Sequence, residues 1–143
     1  MKNSPHSDTT TAGIRIQAAA QFLQQESEPK NGRFVFRYKI TMSNVGTPDG
    51  AKPAKLLSRH WIIVDGDGKR EELRGRGVVG EYPKLGVGES YSYVSFCPLS
   101  TRWGTMEGSY TFERDDGSRF QVHIGRFFLT PTAPPLTLES PSR

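Results

Sequence analysis

Apolar and polar residues alternate with a period of two along most of the chain. Ile14, Ile16, Ala18, Ala20 and Phe22 alternate with Arg15, Gln17 and Gln21. Phe34, Phe36, Tyr38, Ile40 and Met42 then alternate with Val35, Arg37, Lys39 and Thr41. This period turns one face of a strand to a core and the other to water. Between the two runs, Glu28-Pro29-Lys30-Asn31-Gly32 is turn chemistry. Residues 44–53 hold two glycines and two prolines and read as a loop. From Lys55 to Asp65 the pattern changes: Leu56, Leu57, Trp61, Ile62, Ile63 and Val64 occupy both faces, as in a central strand covered on both sides. Asp65-Gly66-Asp67-Gly68 is a hairpin turn, and Lys69 to Arg74 returns as a short charged strand suited to a sheet edge.

Alternation resumes beyond Gly86-Val87-Gly88. Tyr91 to Cys97 forms a strand closed by Pro98. Met106, Tyr110 and Phe112 share a face opposite Glu107, Ser109, Thr111 and Glu113, and Asp115-Asp116-Gly117 turns the chain. Phe120, Val122 and Ile124 alternate with Gln121 and His123, in a strand that extends toward Leu129. The nearest helix candidate is Ala18 to Gln25, and it is short. Seven to eight strands with turns about every ten residues predict an all-β, antiparallel sandwich of the immunoglobulin or fibronectin type III kind. A barrel uses the same strands and stays open as an alternative. Trp61 is expected in the core. Tyr110, just after Gly108, is expected to form a tyrosine corner with nearby backbone.

Composition sets the limits of that domain. Of the 143 residues, 1–12 are polar, and 131–143 carry four prolines and two leucines. Both segments are expected to be disordered tails, which leaves one sandwich domain over 13–130. Cys97 is the single cysteine, so no intramolecular disulfide can form. Lys2 is followed by no apolar run, and no stretch reaches membrane-helix length, so the expectation is a cytoplasmic protein with no membrane partner. A net charge of +4 is spread among acidic neighbours, without the basic and aromatic interleaving of a nucleic-acid surface. Free sandwich edges admit a homodimer.

Candidate chemistry centres on Gly75-Arg76-Gly77-Val78-Val79-Gly80, a G-x-G-x-x-G run preceded by Arg74. A dinucleotide fingerprint needs a following helix whose free N–H groups hold the phosphate. Pro83, Gly86 and Gly88 leave no room for one. With 15 glycines in the chain, the pattern arises by chance with a probability of roughly 0.15. A tight β-connection is therefore the plain reading. The alternative is an anion site in which Gly75, Gly77 and Gly80 supply amides and Arg74 and Arg76 supply guanidinium donors. Arg59 and Trp61 share a strand face and are candidates for a partner surface. His60 has no nucleophile at a recognisable spacing, and Cys97 reads as an inert buried thiol. His6, His60 and His123 offer no metal-ligand spacing, and the paired carboxylates sit in turns or on opposite faces. No catalytic residue, metal site or cofactor is expected.

Longer motifs add a resemblance. Leu56-Leu57-Ser58-Arg59-His60-Trp61, then Arg74-Gly75 with Gly77-Val78-Val79-Gly80-Glu81, Pro83, Gly88-Glu89-Ser90, Tyr93, Cys97-Pro98-Leu99 and Gly104-Thr105-Met106-Glu107-Gly108-Ser109-Tyr110 resemble the bacterial ApaG family over Ile14 to Leu129. Arg76 stands where many members carry proline, and the 45–54 loop is longer than usual. The resemblance implies a fibronectin type III-like sandwich. It also implies that the glycine run is a family feature, discussed as a pyrophosphate-binding motif. The bacterial genes are associated with a diadenosine-tetraphosphate hydrolase and with cobalt and magnesium resistance. Similar domains lie within eukaryotic F-box proteins and a DNA-polymerase-interacting protein. The expected function is a non-enzymatic protein-interaction module with an unidentified protein partner. The alternative is a binder of pyrophosphate or a dinucleoside polyphosphate at the glycine loop.

Overall fold

The computed structural model describes residues 4–50 and 52–131. The described residues form nine strands: β1 (His6–Thr11), β2 (Ile14–Phe22), β3 (Phe34–Asn44), β4 (Ala54–Asp65), β5 (Arg70–Arg76), β6 (Lys84–Leu85), β7 (Ser90–Leu99), β8 (Gly104–Glu113) and β9 (Arg119–Leu129). One sheet runs β1-β2-β3-β7. The other runs β5-β4-β8-β9, with the two-residue β6 beside the start of β4. Every pairing is antiparallel. The helix candidate at 18–25 resolves into the end of β2 and a single 3-10 turn, Gln24–Glu26. Among the described residues no helix is long and apolar enough to cross a membrane.

The alternating residues meet between the sheets. Ile14, Ile16, Phe36, Ile40 and Met42 from the first sheet, and Tyr110, Phe112, Ile124 and Phe127 from the second, are fully enclosed. Each such side chain contributes about 1.5–3 kcal/mol by leaving water. Trp61 lies at the centre, edge-on to Tyr38, Tyr110 and Phe127, with ring centroids 5.4, 6.3 and 6.1 Å away. The doubled apolar pattern of β4 has a local cause. Its register shifts between Leu56 and Ser58, so Ala54 and Leu56 face the core before the bulge and Trp61 and Ile63 face it afterward.

Two expectations are corrected here. Residues 6–11 are a strand rather than part of a disordered tail. β1 has no apolar side chain to bury; backbone pairing to β2, a bidentate Arg15–Asp8 contact at 2.6 and 2.9 Å, and threonine hydroxyls hold it instead. Thr9 donates to the His123 carbonyl, Thr11 Oγ1 accepts from the His123 amide, and Ser4 O accepts from the Phe128 amide. β1 therefore spans the seam between the two sheets. Residues 1–3 and 132–143 lie outside the described residues. The second correction concerns Tyr110. Its hydroxyl meets Tyr93 on β7 at 2.5 Å instead of nearby backbone, so it ties one sheet to the other. Burial holds both phenols well above their usual range.

Candidate functional site

The glycine run begins inside β5, where Gly75 pairs with Arg59 of β4. Two residues apart on the regular part of β4, Arg59 shares the face of Trp61 but is only partly buried, beneath β5. Its guanidinium lies across Gly75: a Cβ there would sit 2.6 Å from the guanidinium carbon. From this position Arg59 Nη1 donates to the carbonyls of Arg76 and Gly77, at 3.0 and 2.7 Å. Charge-assisted bonds of this kind are among the stronger ones available to a side chain. Arg59 is therefore a clip that holds the run.

Beyond the clip the chain makes a two-residue hairpin. Gly77 has φ +63° and donates its amide to Leu57 O at 2.9 Å. A Cβ at Gly77 would come within 2.5 Å of the Glu81 carbonyl oxygen. Val78 and Glu81 exchange both backbone bonds, and Val79 and Gly80 form the tip with φ of +43° and +82°. Positive φ at both tip residues defines a type I′ turn. Val78 is fully buried and anchors the hairpin to the core, while Val79 projects into water. The amides of residues 77, 78 and 81 are thus donated within the protein. This segment is a β-connection in which Gly75 makes room for a side chain and Gly77 and Gly80 adopt backbone that suits glycine.

Arg74 and Arg76 both point to the outer face of the second sheet. Strand register places Arg76, Ser58, Thr111 and Gln121 in one row and Arg74, His60, Ser109 and His123 in the next. Most of these side chains line a shallow polar groove of about 340 Å³. Arg74 lies 3.8 Å from Glu72 and is otherwise open, while Arg76 reaches over the Tyr82 ring. His60 Nε2 donates to Glu72 at 2.8 Å, and Arg70 binds the same carboxylate at 2.9 Å. The hydrogen bond from His60, followed by that from Arg70, holds Glu72 below the usual carboxylate range.

The predicted site residues therefore separate. Arg74 and Arg76 join the groove, whereas Gly75, Gly77 and Gly80 are spent on backbone geometry. Trp61 is 3% exposed, so its assignment to a partner surface is corrected: the β4 bulge points it into the core. Arg59 is engaged by carbonyls. The sequence alternation puts Ser109 and Thr111 on the water side of β8, but only strand order shows that they lie across β4 from the arginines. Among the described residues, no three His, Cys, Asp or Glu side chains gather around a common point. Burial pushes the Cys97 thiol up to about 12, which keeps it protonated and inert at neutral pH.

Fold and site define a class: an antiparallel sandwich of the immunoglobulin and fibronectin type III kind, with a glycine hairpin clipped by arginine. A family model described as the ApaG domain matches residues 24–114. Protein ApaG of Dechloromonas aromatica is 45% identical over 123 residues, which cover 86% of this chain and 94% of that one. Protein ApaG of Pseudomonas putida is 47% identical over 116 residues, covering 81% and 89%. A crystal structure of a Bordetella pertussis protein superposes with a TM-score of 0.77 at 35% identity, covering 93% of this chain and 100% of that one. The chain belongs to the ApaG family.

Proposed function

We propose that the protein is a non-enzymatic interaction module whose partner is another protein. The observation that carries this reading is the internal closure of the glycine hairpin. The amides of Gly77, Val78 and Glu81 and the carbonyls of Arg76 and Gly77 are engaged by Leu57, Arg59 and one another, which supports reading the segment as a stiffened scaffold rather than a phosphate cradle. The remaining reactive groups point the same way. His60 is bonded to Glu72, and the Cys97 thiol is buried. Large apolar side chains meanwhile stand in water at Val79, Tyr82, Phe96 and Trp103, the kind of surface that partners cover. The test is photo-crosslinking in the native host with a benzophenone amino acid at each of these four positions. The expected result is a discrete adduct at one or more positions that excess unlabelled protein suppresses. Absence of any saturable adduct at all four overturns the reading.

A second reading is favoured by one specific observation, the pairing of Arg74 and Arg76 over a hydroxyl-lined groove. In this reading an anion such as pyrophosphate or a dinucleoside polyphosphate is held by side chains on the sheet face, and the glycine amides play no part. Titration calorimetry with pyrophosphate and diadenosine tetraphosphate would show heat that falls with salt and with Arg74→Ala. No heat at millimolar ligand overturns it.

A further inference from the structure

On one side of the sandwich the two sheets end, among the described residues, in edges that are built differently. β5 closes the second sheet with Arg70-Glu71-Glu72-Leu73-Arg74-Gly75-Arg76, a strand dense in charge. β7 closes the first sheet with Ser90-Tyr91-Ser92-Tyr93-Val94-Ser95-Phe96-Cys97-Pro98-Leu99, ten residues without a single charge. Edge strands expose unpaired N–H and C=O groups, and folded proteins ordinarily protect them with charge, brevity or a bulge. β7 is long and regular, pairing residue for residue with β3 from Ser90 to Leu99. Pro98, near one end, is its only interruption to donors.

The faces of β7 match that openness. On the water side Phe96 is 60% exposed and Val94 37% exposed. On the other side, a cleft of about 220 Å³ opens between β7 and β5, floored by Tyr38, Trp61, Cys97 and Met106 and rimmed by Leu73, which is 47% exposed. A strand laid along β7 would alternate its side chains between the Val94–Phe96 surface and this cleft. Charge selects the segment further. Glu71 lines the cleft itself and disfavours acidic side chains there, with Asp65, Lys69 and Arg70 beside it. On the outer face Arg37 sits next to Phe96 and Lys39 next to Val94, and neither β3 nor β7 contains a carboxylate.

We infer that β7 receives an extended segment of a partner protein as a fifth strand of the first sheet, with apolar residues facing the cleft and acidic residues on the outer face, across Phe96 and Val94 from the long side chains of Arg37 and Lys39. This rests on the interaction-module reading and specifies its surface. The mode is strand addition, in which main-chain bonds supply affinity and alternate side chains supply selection.

The probe is a soluble ten-residue peptide that alternates valine with glutamate and threonine, titrated into the 15N-labelled full chain. Amides of β7 that point away from β3 shift and gain protection from hydrogen exchange. Phe96→Glu and Val94→Glu, which set a like charge against the acidic face of the segment, each weaken binding tenfold or more, with thermal midpoints close to the parent. The same peptide with lysine in place of glutamate binds more weakly. The same peptide with methylated alternate nitrogens, unable to complete the ladder, does not bind. Equal binding by the methylated peptide, or no β7 response at millimolar peptide, overturns the inference. So does concentration-dependent self-association that Phe96→Glu abolishes, because the occupant is then a second copy. A saturable photo-adduct at Tyr82 or Trp103 that survives Phe96→Glu also overturns it while leaving the interaction-module reading intact; the absence of adducts at all four positions removes that reading itself.

Discussion

The glycine hairpin and the β7 edge are opposite cases. The hairpin draws attention as a motif, yet the amides of Gly77, Val78 and Glu81 and the carbonyls of Arg76 and Gly77 are taken up by Leu57, Arg59 and its own cross-strand pair. β7 is plain as a sequence, an alternation of serine with aromatic and aliphatic residues, yet among the described residues no strand pairs with one of its edges. Conspicuous residue chemistry here marks internal construction, and plain chemistry marks the open surface. Glycines and an arginine are required where backbone must pass close to a side chain. An edge open for pairing requires only that nothing obstruct it.

The contrast breaks first at Gly77. Gly77→Ala forces a Cβ against the Glu81 carbonyl in positive-φ backbone, and a loss of about 3 kcal/mol is expected in urea unfolding. A near-neutral result would mean that the hairpin is looser than its bonds indicate. Next is the inward face of β7, fixed by the Tyr93–Tyr110 hydroxyl pair. Tyr110→Phe strands a buried hydroxyl and should lower stability by about 2 kcal/mol. Adding Tyr93→Phe removes the orphaned group, so the double variant should lie closer to the parent than the single one does; simple additivity would refute that account. Arg59→Met keeps the apolar stem but drops both carbonyl bonds, for an expected loss of about 1.5 kcal/mol.

A smaller effect of opposite sign is expected at the tip. Val79 is β-branched with φ +43°, a region costly for such a residue. Val79→Asn supplies the Asn-Gly pair favoured by a type I′ turn and should stabilise by about 1 kcal/mol in thermal unfolding. Smallest of all, Phe96→Ser should shift stability by less than about 0.5 kcal/mol, since that side chain stands largely in water. A large loss there would show that β7 is part of the folding core rather than an open edge.

Much of this was legible in the sequence. Period-two alternation located β2, β3, β7, β8 and β9 because each buries a regular apolar face, while β4 showed as an apolar run and β5 as a charged return from a turn. It missed β1, whose polar residues hold their place by backbone pairing and hydroxyl bonds, interactions without an apolar signature. It placed Trp61 correctly as a core residue. It also offered Trp61 as surface, because the phase shift at the β4 bulge is invisible without the register. Arg74 and Arg76 were visible as a pair two residues apart. Ser109, Thr111 and Gln121 joined them only once strand order was known. The type I′ turn was obscured by a valine where asparagine or glycine is usual. The open state of β7 depends on which strand ends a sheet, and no local pattern encodes that.

The seam made by β1 bears on how the domain can be transplanted. The Phe128 amide donates to Ser4 O at 2.8 Å, so the two ends of the described sandwich lie side by side. A fold whose ends touch can be carried within a single surface loop of a host chain, entering and leaving at one point without stretching either partner. It can also be circularly permuted: a short linker closes the seam, and the exposed turn at Asp115-Asp116-Gly117 supplies new termini far from β7 in the chain.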